Sequence, residues 1–147
     1  MPPSVTDVNS VDLTRIPAMQ EASIFSGITN TEFVEEDEEM YIEARGWAWA
    51  GGGRNVVRVD VSANNGGNWI TADIYEGGDQ KFNRGWAWVF WKAKVPVNPS
   101  RDGKVELCSK AVDIAYNIQP EKPDWNVRGL GNNSWFRKTV ETTTRKR

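Results

Sequence analysis

From Met40 onward the chain alternates hydrophobic and polar positions in short runs separated by turn-forming residues. Asn55, Val57, Val59 and Val61 alternate with Val56, Arg58, Asp60 and Ser62. A period near two places successive side chains on opposite faces of a strand. Asn64-Asn65-Gly66-Gly67 follows, and Asn and Gly reach the positive φ angles of a hairpin turn. Residues 69–75 read as the return strand, and Glu76-Gly77-Gly78-Asp79 turns again. Residues 86–97 set Trp91, Ala93, Val95 and Val97 on one side, with Lys92 and Lys94 on the other. Residues 99–103 turn, Val105, Leu107 and Ala111 alternate with Glu106 and Lys110, and residues 134–140 form a last strand.

Before Met40 the pattern is weaker. Residues 22–25 suggest a first short strand, and the acidic run 35–39 (EEDEE) a solvated loop, with a partner-binding acidic patch as the alternative. Pro120 and Pro123 make the stretch after Tyr116 an extended, irregular crossing rather than a central strand. No segment has a helical period. Short strands joined by Gly-rich turns predict an all-β sandwich. Its bounds are a flexible lead-in over 1–20, a domain over 21–140 and a frayed polar tail over 141–147. The motif GWAW occurs at 46–49 and again at 85–88. Two equivalent facing strands would produce that repeat, and so would chance.

Composition narrows the chemistry. A chain of 147 residues is enough for one cored domain. A net charge of −2 gives no electrostatic footprint for nucleic acid or a membrane surface. No apolar stretch reaches transmembrane length, no apolar signal core opens the chain, and the ending RKR is not a peroxisomal tripeptide. His is absent, which removes the commonest general base and metal ligand and any Ser/His/Asp set. The single Cys108 excludes an intrachain disulfide. Eight Trp supply large rigid packing units or an aromatic binding surface.

Trp47, Trp49, Trp86, Trp88 and Trp91 form W-x-W pairs. On a strand, i and i+2 share a face, so core packing between two sheets is the expected use. A subunit or interdomain contact and ligand stacking are the alternatives. Gly51-Gly52-Gly53-Arg54 lacks the Lys-Ser/Thr ending and following helix of a phosphate loop, and reads as a tight turn. Arg54 and Arg58 are candidates for interdomain or intersubunit salt bridges, against an ordinary surface position. Asp60 and Asp113 fall inside strand motifs and suit structural hydrogen bonds.

Four stretches, taken in order, carry a resemblance: 46–62 (GWAWAGGGRNVVRVDVS); 86–91 with Val95; 110–113 followed by 116–121 (YNIQPE); and 125–129 (WNVRG) with Asn133, Trp135 and Arg137. From about Ala18 to Val140 the chain resembles the C-terminal dimerisation domain of the sulfite oxidase and eukaryotic nitrate reductase family, with 58–62 and Tyr116-Asn117 closer to sulfite oxidase. Ile114 and Ala115 stand where the animal pattern usually has a small residue and an acid. The resemblance implies an immunoglobulin-like β-sandwich and a homodimer. It implies a separate, larger molybdenum-cofactor domain that binds molybdopterin and supplies the metal's cysteine. Cys108 does not match that cysteine, so this chain is expected to bind no metal or cofactor and to hold no catalytic residue of its own. Arg128, in the W-N-x-R-G motif, is implied to reach toward the sulfite/sulfate pocket of that domain; the alternative is an arginine that only pins a loop through carbonyl or carboxylate bonds. A guanidinium suits the task because its planar fork of donors fits oxyanion oxygens. Gly129 beside it permits close approach or an unusual φ. The resemblance leaves the mitochondrial intermembrane space and the peroxisome open. The other classes are a Trp-rich carbohydrate-binding sandwich, the same domain from a nitrate reductase, and an enzyme with its own site.

Overall fold

The computed structural model describes residues 7–15, 17–98, 103–126 and 129–142. Two single-turn 3-10 helices, Val8–Ser10 and Leu13–Arg15, precede eight strands. The strands are β1 (Phe25–Glu36), β2 (Glu39–Trp49), β3 (Val56–Ser62), β4 (Ile70–Thr71), β5 (Asp73–Glu76), β6 (Val89–Pro96), β7 (Lys104–Asp113) and β8 (Phe136–Glu141). They form two antiparallel four-stranded sheets, ordered β1-β2-β6-β5 and β4-β3-β7-β8. The sheets pack face to face as the expected all-β, immunoglobulin-like sandwich. Ile42, Trp91 and Val95 of the first sheet meet Val59, Val61 and Leu107 of the second, all essentially inaccessible. One buried polar link crosses the core, Ser26 Oγ to Ser109 Oγ at 3.0 Å.

Several expectations are corrected. The first strand is not 22–25 but the twelve residues of β1, because pairing with β2 sets its length (Phe25↔Trp49 to Glu36↔Glu39). Its polar far half carried no apolar signal. The acidic run is no loop of five: β1 and β2 reverse through Asp37 and Glu38 alone, at φ 51° and 66°, as a two-residue primed turn requires. In β3 a register shift between Val56 and Arg58 breaks the alternation. Val56 turns inward and Val57 outward, the face exchange that one extra residue imposes. The return strand 69–75 is two strands. β4 pairs with β3 and β5 with β6, in different sheets. Buried Ala72 is the crossover, its N–H donating to Val59 O at 2.8 Å.

In β6 the expected faces hold: Val89, Trp91 and Val95 are buried, while Lys92 and Lys94 are exposed. The strand starts at Val89, not 86, so the two GWAW copies are not equivalent: one lies in β2 and the other in the loop before β6. Turn residues 99–102 lie outside the described residues.

Candidate functional site

The strand ends near β1 residue 25, β3 residue 56 and the finish of β7 share one end of the sandwich with the long crossing 114–135. Asp113, the last residue of β7, organises this end. Its side chain is fully buried. Oδ1 accepts from Ala115 N (2.9 Å) and Asn117 N (3.0 Å). Oδ2 accepts from Asn117 Nδ2 (2.9 Å) and Arg54 Nε (2.7 Å). Burial works against its charge, but the donors from Asn117, Arg54 and Ala115 outweigh it and hold the pKa below the usual carboxylate range. Arg54 leaves the tight turn through Gly52 (φ 66°) and Gly53 (φ 70°), as expected of that glycine run. Its other donors go to Glu21 and, at 3.1 Å, to Ala22 O. Its ion pairs thus tie Glu21, ahead of β1, to Asp113 at the end of β7. Arg58 lies half-exposed on the outer face of its sheet, 3.0 Å from Asp60. Asp60 also accepts from Thr71 Oγ1, which makes it structural as expected.

The carboxylate of Asp113 fixes a turn that puts Tyr116 at φ 62° with 84% of the residue exposed. A positive φ on an aromatic residue is strained. Ile118, Trp125 and Leu130 are likewise half-exposed or more. Buried Gln119 clasps the base of the crossing. Its Oε1 accepts from Ala111 N (2.9 Å), and its Nε2 donates to Asn133 O (3.1 Å) and Ser134 O (2.9 Å). Trp135 seals the same point, with N donating to Pro120 O and Nε1 to Gln119 O. Beside the turn, Glu21, Arg54, Asn117 and Asp124 line a polar cleft of about 530 Å³. Arg128 and Val127 lie outside the described residues. The residues on either side of them are described. Asn126 Nδ2 donates to Leu130 O (2.7 Å), Asn126 Oδ1 accepts from Leu130 N (3.1 Å), and Gly129 has φ 62°. Tyr116 and Gln119 lie in YNIQPE and Asn126 in WNVRG, the stretches that carried the resemblance, but their roles had no local signal, because each depends on what the crossing folds against.

The Mo-co oxidoreductase dimerisation domain model matches residues 14–143. The chain belongs to that family. It is 41% identical to human mitochondrial sulfite oxidase over 137 residues, which is 92% of this chain and 25% of that protein. A soybean inducible NADH nitrate reductase is 45% identical over 95 residues, 63% of this chain and 10% of that one. The sulfane dehydrogenase SoxCD of Paracoccus pantotrophus superposes with a TM-score of 0.55 at 25% identity, covering 82% of this chain and 30% of that one. The chain thus spans about a quarter of the length of the sulfite oxidases it matches.

The one cysteine has no thiolate character to offer a metal. Cys108 is inaccessible, with Sγ 3.7 Å from Ser62 O, and burial pushes its thiol pKa up. That is the chemistry of a neutral, inert thiol, not of a metal-ligating thiolate. No cluster of three or more His, Cys, Asp or Glu exists among the described residues. Nor is any helix there long and apolar enough to cross a membrane.

The tryptophans correct the core expectation. Of the W-x-W set only Trp91 is core, with Nε1 donating to Trp47 O at 3.0 Å. Trp47 and Trp49 point away from the core of the first sheet, and Trp86 and Trp88 are 65% and 52% exposed. The reason is that Trp91 fills the interior opposite β2. A Cβ on Gly46 would sit 2.3 Å from its ring and 2.0 Å from Gly27 O. In the GWAW of β2 (46–49), therefore, Gly and Ala face in and Trp faces out.

Proposed function

We propose that this chain is the assembly domain of a sulfite-oxidase-like molybdoenzyme. In this reading it pairs with a second copy and docks its crossing end on the enzyme's molybdenum-cofactor domain. Arg128 reaches from there into the oxyanion pocket. The observation that carries the reading is the extent of the sulfite oxidase similarity, which takes in nearly the whole chain and thus the crossing that bears W-N-V-R-G. The nitrate reductase similarity covers less. The geometry of the crossing end supports docking. Exposed Tyr116 stands there on a turn pinned by a buried carboxylate, with Ile118, Trp125 and Leu130 exposed further along the same crossing, so at Tyr116 a partner meets a preset turn and less ordering entropy is lost. The Asn126 clasp brackets the positions of Val127 and Arg128.

In this mechanism the chain's own contribution is charge placed at the anion. The molybdenum centre, held by the other domain, supplies the redox chemistry. Sulfite and sulfate are the anions, and the mitochondrial compartment named for the human and fly relatives is the proposed location.

The test replaces the matching segment of human sulfite oxidase with this chain. Arg128→Gln should raise KM for sulfite by about 10–100-fold, the loss of a hydrogen bond to a charged group, with a smaller effect on kcat. An unchanged KM removes the arginine role. The full chain alone should show no sulfite oxidation, and stoichiometric molybdenum in it would overturn the assembly reading.

A further inference from the structure

We propose that Asn65 is a site of spontaneous self-modification. The backbone nitrogen of Gly66 attacks the Asn65 side-chain amide while Arg137 holds its carbonyl oxygen, and the residue converts to aspartate and isoaspartate.

The first observation is the pair itself. Asn65-Gly66 is the one Asn-Gly step in the sequence. Glycine leaves the attacking nitrogen unhindered, whereas a side chain on the following residue crowds the five-membered ring that must close. Asn64, followed by Asn65, has that hindrance. Its Oδ1 is also engaged, accepting from Ser62 Oγ at 2.9 Å and from Asn68 N at 2.8 Å. Packing keeps the glycine where it is. Gly66 has φ 84°, and an added Cβ would lie 2.8 Å from the Trp135 ring and 3.2 Å from the Trp69 ring. The fold therefore requires the residue that makes its neighbour labile.

The second observation is the electrophile. Asn65 stands exposed at φ 54° in the turn between β3 and β4, so water and hydroxide reach it. Its Oδ1 accepts from Arg137 Nη1 of β8 at 2.6 Å. Arginine only donates, so this contact settles which end of the amide is the oxygen. A guanidinium there draws electrons from Cγ and stabilises the oxyanion that forms when that carbon becomes tetrahedral.

The steps balance. Hydroxide takes the Gly66 amide proton, and the nitrogen lone pair forms a bond to Asn65 Cγ. The carbonyl pair moves onto Oδ1 beside Arg137, then returns as the Cγ–Nδ2 bond breaks and ammonia leaves, protonated by water. The succinimide so formed takes up one water. Opening at Cγ gives aspartate, and opening at the backbone carbonyl gives isoaspartate. The net change is an amide and a water becoming a carboxylate and an ammonium ion. Ring closure has one brake: Gly66 N donates to Ser62 Oγ at 3.0 Å and must turn off it to reach Cγ.

The third observation is what the product meets. Arg137 Nη1 also lies 2.9 Å from Glu106 Oε1. The new carboxylate becomes a second anion on the same guanidinium, and its hydrogen bond is stronger than the amide's because it carries charge. The isoaspartate form also lengthens the backbone of a turn on which the Trp69 and Trp135 rings rest, 4.8 Å apart at 82°.

The experiment incubates the full chain in mildly alkaline, ammonium-free buffer, followed by peptide mass spectrometry and isoaspartate methyltransferase labelling. Asn65 should convert ahead of every other asparagine, to both isomers, and isoelectric focusing should show a more acidic band. Asn65→Gln should remove that band, because the longer side chain must close a six-membered ring. Arg137→Leu should slow conversion of the folded chain by about tenfold, the effect of one charge-assisted hydrogen bond. In urea it should leave the rate unchanged. An Asn65 still intact in the folded chain when the urea-unfolded chain has fully converted overturns the proposal. Conversion that Arg137→Leu does not slow overturns the part given to Arg137. Should that variant unfold, Glu106→Gln decides. Glu106 competes for the same Nη1, so its removal must raise the rate, and an unchanged rate overturns the role of Arg137.

Discussion

At one end of the sandwich the chain reverses through Asp37-Glu38, exposed to solvent, and through Asn64-Asn65-Gly66, held by Asn64 itself, by buried Ser62 of β3 and by Arg137 of β8. At the other end it reverses through Gly51–Arg54 and the crossing 114–135, held by the buried side chains of Asp113 and Gln119. The first end exposes charge and amide. Among the described residues the second exposes Tyr116, Ile118, Trp125 and Leu130. Both ends contain non-glycine residues at positive φ, so strain alone does not separate them. Buried polar side chains hold a turn at each end too, Ser62 at the first and Asp113 at the second. What separates them is that the crossing end uses its positive-φ residue to present an aromatic side chain. The comparison teaches that an end presenting apolar side chains is built to be covered, while an end presenting charge and amide is built to stay wet.

The largest break in this contrast should come from Asp113→Ala. It removes acceptors for four hydrogen bonds and leaves the mostly buried Arg54 without its inner partner. Destabilisation of about 3–5 kcal/mol is expected for such a broken pair, read by urea unfolding. Glu36→Ala, which breaks an exposed ion pair near the acidic turn, should leave the urea midpoint where it is. The same carboxylate sets an acid dependence. Its folded pKa is lowered, so its contribution is full above the unfolded value of about 3.9 and disappears as pH falls from there through the folded value. The stability gap between wild type and Asp113→Asn should therefore narrow below about pH 4. A gap that stays constant with pH would mean that Asp113 acts by shape alone.

Gln119→Leu comes next. The amide N–H of buried Ala111 loses its acceptor, and the carbonyls of Asn133 and Ser134 lose their donor. A cost of about 2–3 kcal/mol follows from one buried unsatisfied donor and the released carbonyls. Hydrogen exchange should speed up in the crossing and not in the β1–β2 hairpin. Uniform acceleration would show that the clasp serves the whole fold and not this end.

How much of this was legible follows from what sets each feature. β6 was readable because its alternation is driven by one buried face, and Trp91 and Val95 lie where the period puts them. The β3 bulge and the sheet switch at Ala72 were not, since each depends on which neighbour a strand finds. GWAW misled because a W-x-W pair says that two rings share a face but not which face. The answer came from Trp91, forty-four residues from Trp47, occupying the interior. At the candidate site, the tight glycine turn and the structural role of Asp113 were legible. The Gln119 clasp and the strained Tyr116 were not, because a side chain bonding to backbone fourteen residues away leaves no local pattern.

Smaller effects, of opposite sign, test whether strain at the two ends has the same meaning. Tyr116→Asn should stabilise the isolated chain by about 1 kcal/mol, since Asn tolerates left-handed backbone and the exposed ring loses no packing. It should also weaken association with the molybdenum-cofactor domain, a gain in stability at the expense of function.

The smallest effect is at the acidic hairpin. Asp37 and Glu38 occupy both central positions of a turn that prefers Asn-Gly. The double change Asp37→Asn, Glu38→Gly should add about 0.5 kcal/mol by relieving positive φ and separating fewer like charges. Thermal unfolding would show the gain, and neither pairing nor interdomain association should change. If the hairpin change instead disturbed association as Tyr116→Asn does, the acidic end would also be a contact surface. The division between a covered end and a wet end would then be wrong, because both positive-φ turns would be serving partners.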